Sequence, residues 1–142
     1  MGALEELYKR YGDRAEFIAV YVREAHPTDG ASSPANEKAG ISYRQHRTAE
    51  ERSEVARHCC AALNMTMPVV VDTIDDRVGH AYSGMPDRLY VIDRQGKVSY
   101  QGGRGPMGFT PAEMEQALAM LLLHDATTSP AVAPKRAVEK SR

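Results

Sequence analysis

Two short apolar runs, Phe17-Ile18-Ala19-Val20-Tyr21-Val22 and Pro68-Val69-Val70-Val71, restrict what this chain can fold into more than any other feature. Both read as strands, and their near-continuous apolar character predicts burial on both faces. Between them, Thr48-Ala49-Glu50-Glu51 forms a capping box: the threonine hydroxyl accepts an orphan amide and Glu51 reaches back. The helix it starts carries Val55, Ala56, Cys59, Ala62 and Leu63 on one face. Strand, helix, strand is a βαβ unit, so the two strands are predicted to be parallel with a right-handed crossover.

The rest of the chain extends this α/β pattern. Leu4, Leu7, Tyr8 and Tyr11 recur at helical spacing, and Gly12-Asp13 ends that helix. Residues 27 to 44 read as a long loop, a length that is usually functional or disordered in a compact domain. Leu89–Ile92 and Lys97–Tyr100 flank Asp93-Arg94-Gln95-Gly96 as a hairpin. Thr110-Pro111-Ala112-Glu113 opens a last helix whose core face is Met114, Ala117, Leu118, Leu121 and Leu122. One domain over 1–124 is expected, with 125–142 a disordered tail of Ala, Thr, Ser, Pro, Lys and Arg. Helix, strand, helix, strand, hairpin, helix is most of a thioredoxin-like fold, a three-layer α/β/α arrangement around a mixed sheet. Such a sheet places a cis-proline before the hairpin, so Met85–Pro86 is predicted to be cis.

A chain of 142 residues is long enough for one real core. Its net charge of −1, without single-sign blocks, points to neither a nucleic-acid nor a membrane partner. The apolar run from Ala117 to Leu123 is too short to span a bilayer. The start, Met1-Gly2-Ala3-Leu4-Glu5-Glu6, has acids where a signal peptide needs bases, so the expectation is cytoplasmic. The two cysteines, Cys59 and Cys60, are adjacent, which disfavours a disulfide and lacks the spacing of a redox or zinc motif. They read as small, partly buried helix residues.

Chemistry collects at Glu24-Ala25-His26-Pro27-Thr28-Asp29-Gly30, where the first apolar run stops. A carboxylate and an imidazole two residues apart at a strand end form a candidate acid/base pair, Glu24 and His26. The plainer alternative is that His26 and Asp29 only initiate a turn. Gly102-Gly103-Arg104-Gly105-Pro106 lacks the Lys-Ser/Thr of a P-loop, so a nucleotide site is not expected there.

Several motifs, in order from about Leu4 to Leu123, resemble the iodothyronine deiodinases. They are Tyr21-Val22-Arg23-Glu24-Ala25-His26-Pro27-Thr28-Asp29-Gly30, Gln45-His46-Arg47, Val71-Asp72-Thr73, Pro86-Asp87-Arg88-Leu89-Tyr90-Val91-Ile92 and Gly102-Gly103-Arg104-Gly105-Pro106. The resemblance implies a thioredoxin fold and reductive removal of iodine from iodinated phenols by a selenocysteine or cysteine nucleophile. A thiol serves as co-substrate, and no metal or other cofactor is implied. By the same resemblance Glu24 and His26 handle protons and the phenol, Tyr21 and Pro86 line the pocket, and His46 with Arg88 clamps the substrate's ends. From the residues alone, Arg88 reads rather as a surface salt bridge to Asp87 or Asp93, and His46 as a solvated loop histidine.

The chain departs from the family at three points. Ala31 stands where a tryptophan is frequent, Arg23 where an acid is common, and the nucleophile is missing. In the family the nucleophile ends a strand preceding the first helix seen here. The expectation is therefore an amino-truncated chain whose sheet lacks its central strand, between 17–22 and the hairpin. Edge groups left dry would each cost roughly 1–3 kcal/mol, and an unpaired edge invites a homodimer. The expected function is a deiodinase-like oxidoreductase. The alternatives are a catalytically inactive binding module with the same pocket, or a peroxiredoxin-like thiol reductase.

Overall fold

The computed structural model describes residues 2–38 and 40–128. Its elements are α1 (Gly2–Tyr11), β1 (Ala19–Tyr21), α2 (Pro34–Lys38), α3 (Ala49–Ala62), β2 (Val69–Val71), α4 (Arg77–Ala81), β3 (Tyr90–Ile92), β4 (Val98–Gln101) and α5 (Pro111–Thr128). The architecture is mixed α/β, as the sequence predicts. The short helices α2 and α4 are additions to that reading. Helix α5 also continues past the expected boundary at 124, and the remainder of the expected tail lies outside the described residues.

Strands β1 and β2 pair in parallel, Ala19 opposite Val69 and Tyr21 opposite Val71, so the predicted βαβ pairing is present. Thr48 caps α3, accepting from the Glu51 amide at 3.2 Å, while Glu51 reaches back to the Arg47 amide at 2.7 Å. Strands β3 and β4 form the antiparallel hairpin, with a bulge where Val91 opposes Tyr100 and Ile92 opposes Val98. The Asp93 carboxylate accepts from the amides of Gln95 and Lys97 at 2.9 and 2.8 Å, and Gly96 supplies the positive φ of +80° that closes the turn. Met85–Pro86 is cis, as expected, and so is Gly105–Pro106.

Among the described residues the strands form two separate two-stranded sheets, β1–β2 and β3–β4. The core sits on the hairpin: Leu7 of α1, Leu89 and Val91 of the β3 segment, and Met114 and Leu118 of α5 are buried together. Leu4, Tyr11, Phe17, Ala117, Leu121 and Leu122 pack around them. Helix α1 stops where a Cβ at Gly12 would sit 2.7 Å from the Tyr8 carbonyl oxygen. Its Glu5 carboxylate accepts from the Thr66 amide (2.9 Å), the Thr66 hydroxyl (2.5 Å) and the Met67 amide (3.3 Å), tying α1 to the approach of β2.

The expectation that the apolar runs are buried on both faces is not met. Ile18 is 62% exposed and Val70 is 49% exposed. A two-stranded ribbon backed by one helix cannot shield both of its faces, and no described element covers the other. The buried face of α3 also differs from the expected one. It carries Arg52 and Ala56, with Val55 and Cys59 half-buried and Leu63 exposed.

Candidate functional site

The site is built at the end of β1. Tyr21, the last residue of that strand, donates its hydroxyl to the Glu24 carboxylate one turn further along the chain. His46 comes from the segment leading into α3. It is only 7% exposed, and its Nε2 lies 4.0 Å from Glu24 Oε1. Its ring tilts against Tyr21 with centroids 5.9 Å apart. Neither ring nitrogen of His46 has a hydrogen-bond partner among the described residues. A buried polar group without a partner is costly, and such groups collect where a ligand supplies what is missing. A cavity of about 270 Å³ opens beside it, lined by Tyr43, Gln45, His46, Arg47, Glu51 and Val55 among others.

Burial sets the electrostatics. It pushes the His46 imidazole below its ordinary pKa, and the nearby Glu24 charge only partly opposes this, so the ring is neutral near pH 7. Burial, followed by the hydrogen bond to Glu24, holds the Tyr21 phenol well above its ordinary value. Tyr21 therefore stays protonated and acts as a fixed donor to Glu24.

Behind the strand ends lies a second network. Arg52 is 1% exposed and reaches from α3 to the Thr73 carbonyl (2.7 Å) and to Asp76 Oδ1 (2.8 Å). Asp72, directly after β2, accepts from the amides of Thr73 (2.8 Å), Val78 (3.0 Å) and Gly79 (2.8 Å). Burial raises the Asp72 carboxyl, but these amides outweigh it and leave the pKa low. The network fixes the loop that follows β2, parallel partner of the strand carrying Tyr21. Arg52 was not anticipated from the sequence.

The other expected site residues are placed differently. His26 does not pair with Glu24: its side chain is exposed and Nδ1 lies 3.2 Å from the Ala31 carbonyl oxygen. The expected Glu24–His26 pair is replaced by Glu24 with Tyr21 and His46, while His26 lies over the turn that follows it, in which the Gly30 amide donates to the Pro27 carbonyl at 3.1 Å. Arg88 makes no ion pair with Asp87 or Asp93. Its Nε donates to the Gly102 carbonyl at 2.8 Å, and its guanidinium stands 5.8 Å from the Tyr90 ring centre. It belongs to the hairpin sheet, on which Pro86 leads in, and no hydrogen bond among the described residues joins it to Glu24 or His46. Burial, then Cys60 and Glu24, raises the Cys59 thiol, which disfavours the thiolate.

Comparison with known proteins identifies the family of the chain. The chain is 36% identical over 118 residues to thyroxine 5-deiodinase of Sparus aurata, covering 83% of this chain and 42% of that protein. It is 37% identical over 120 residues to thyroxine 5-deiodinase of Sus scrofa, covering 80% and 36%. It is 31% identical over 120 residues to type II iodothyronine deiodinase of Fundulus heteroclitus, covering 83% and 45%. The chain thus spans less than half the length of these relatives. Among the described residues no helix is long and apolar enough to cross a membrane. A family model described as iodothyronine deiodinase matches residues 1–121, and the chain belongs to the iodothyronine deiodinase family.

Proposed function

We propose that these residues form the pocket of a deiodinase-type reductive dehalogenase acting on an iodinated phenol, with a thiol as reductant. The observation that carries this reading is His46, buried and unpartnered at both ring nitrogens beside the Glu24 carboxylate. A neutral imidazole offers one donor and one acceptor, which suits a phenolic hydroxyl. Membership of the family supplies the reaction class.

The reaction balances as follows. A selenolate or thiolate attacks iodine, a Se–I or S–I bond forms as the aryl C–I bond breaks, and the ring carbon takes a proton. One thiol then displaces iodide, and a second restores the nucleophile as the two thiols leave as a disulfide. Glu24 manages the proton, a role supported by the hydroxyl of Tyr21 that orients its carboxylate. His46 holds the phenol end, and Arg88 is proposed to bind an anionic tail through its planar fork. His26 is proposed as a further proton carrier, reached by rotation away from Ala31.

The supporting fold is proposed to be thioredoxin-like, with β1–β2 and β3–β4 flanking a central strand that these residues do not supply and that bears the nucleophile. The two separate sheets support this. So does the exposure of Ile18 and Val20 on β1 and its approach. A second reading, a ligand-binding module without turnover, is favoured by one observation: the only two thiols lie on α3, and Cys59 is held protonated. Iodide release from thyroxine with dithiothreitol separates the readings. The 142-residue chain alone is expected to release none, while a protein extended by a strand ending in cysteine or selenocysteine is expected to release iodide. Turnover by the chain alone would overturn the placement of the nucleophile, and a silent extended protein would favour the binding module.

A further inference from the structure

We propose a second site: an oxyanion pocket of the phosphate class formed by Arg23, His80 and Arg104. A cavity of about 180 Å³ is lined by these residues together with Val22, Asp76, Gly79, Ser83 and Met85. At about 30 Å³ per water molecule, the space equals roughly six waters, enough for a tetrahedral anion and part of its carrier.

The charge inventory decides what the cavity takes. Its one lining acid, Asp76, is committed on Oδ1 to the fully buried Arg52 at 2.8 Å. Its Oδ2 stands 3.9 Å from Arg23 Nη1, close enough to steady that guanidinium while leaving most of its donors unused. Arg104 has no ion-pair or side-chain hydrogen-bond partner among the described residues. The nearby Asp72 carboxylate is spent on three backbone amides and faces the cavity wall through Gly79, where an added Cβ would lie 3.4 Å from its Oδ2. Asp87 packs against Gly105 but makes no ion pair with Arg104.

The cavity lining therefore carries an excess of positive charge, with two guanidinium groups and an imidazole drawn from three segments of the chain. A carboxylate presents acceptors in one plane. Donors arriving from three directions fit a tetrahedral oxyanion better. Arg23 adjoins Glu24 and Met85 adjoins Pro86, so the cavity borders the proposed dehalogenase pocket, but anion binding is read without turnover and stands or falls apart from that reading.

The test is titration of the full chain with inorganic phosphate and, separately, with phenyl phosphate, followed by amide NMR shifts. Saturable shifts centred on Arg23, Gly79, His80 and Arg104 are expected. Arg23→Gln and Arg104→Gln should each weaken binding roughly tenfold, as loss of a charge-assisted contact does. Arg94→Gln, remote on the hairpin turn, should leave it unchanged. Tighter binding of phenyl phosphate supports an anion borne on a larger ligand, and equal binding supports the free anion. Shifts that never saturate, or an equal loss in Arg94→Gln, would overturn the site and mark only diffuse attraction.

Discussion

Glu24 and His46 approach to 4.0 Å, yet they do not share a hydrogen bond. The same Glu24 oxygen is taken by the Tyr21 hydroxyl. His46 is thus presented to the cavity as a buried, neutral ring with both nitrogens available, held close to a carboxylate that is itself oriented.

That arrangement has a pH signature. Burial lowers the His46 pKa in the folded chain, whereas the unfolded chain takes up this proton near the ordinary value of about 6.5. Below about 6.5 the unfolded state therefore binds more protons, and stability falls as pH drops toward and through the lowered folded value. The carboxylates with lowered values, Glu5 and Asp72, act in the same direction but only below their ordinary values of 4.5 and 3.8. Thermal melts between pH 7.5 and 5 should show Tm falling in wild type, with a flatter profile in His46→Gln. Identical slopes would contradict the assignment.

Arg52 is the most deeply placed charge. Arg52→Ala strands Asp76 and the Thr73 carbonyl, and should cost about 3–5 kcal/mol in urea unfolding. Arg44→Ala, whose guanidinium is exposed and 3.8 Å from Asp29, should cost about 0–1 kcal/mol.

Helix α5 should show one sensitive face. Leu118 is buried against the hairpin, so Leu118→Ala should lose about 2–5 kcal/mol. Leu123, 67% exposed, should tolerate alanine within about 0.5 kcal/mol. Chemical denaturation of both variants checks this.

Cys59 should be a poor nucleophile. With its thiol raised by burial and by its neighbours, alkylation by iodoacetamide at pH 7.5 should be several-fold slower in the folded chain than in urea. Faster modification when folded would reveal an activated thiol and remove the argument against catalysis by this residue.

Much of the framework was legible because it rests on local chemistry. The cap at Thr48, the parallel pairing of 19–21 with 69–71 and the Asp93–Gly96 turn follow from short sequence patterns, whereas at Thr110 the hydroxyl donates to the Glu113 carboxylate at 2.8 Å and caps no amide among the described residues. Helices α2 and α4 were not, being five residues long with turn-like composition, including Pro34 and Gly79. Arg52 carries no signal in the sequence, because the Thr73 carbonyl it reaches lies 21 residues further on. His26 stood nearest to Glu24 in the sequence, but the partner brought in by folding is His46, and no spacing rule carries that information. The exposure of Ile18 and Val70 was missed because apolar runs report a capacity for burial, not what is present to bury them.

The most direct test of the account is isothermal titration of the chain with an iodinated phenol such as 3,5-diiodotyrosine. Wild type should bind, His46→Leu and Glu24→Gln should each weaken binding about tenfold or more, and Arg94→Gln should not differ from wild type. Undiminished binding in both site variants would show that the phenol does not sit beside Glu24 and His46.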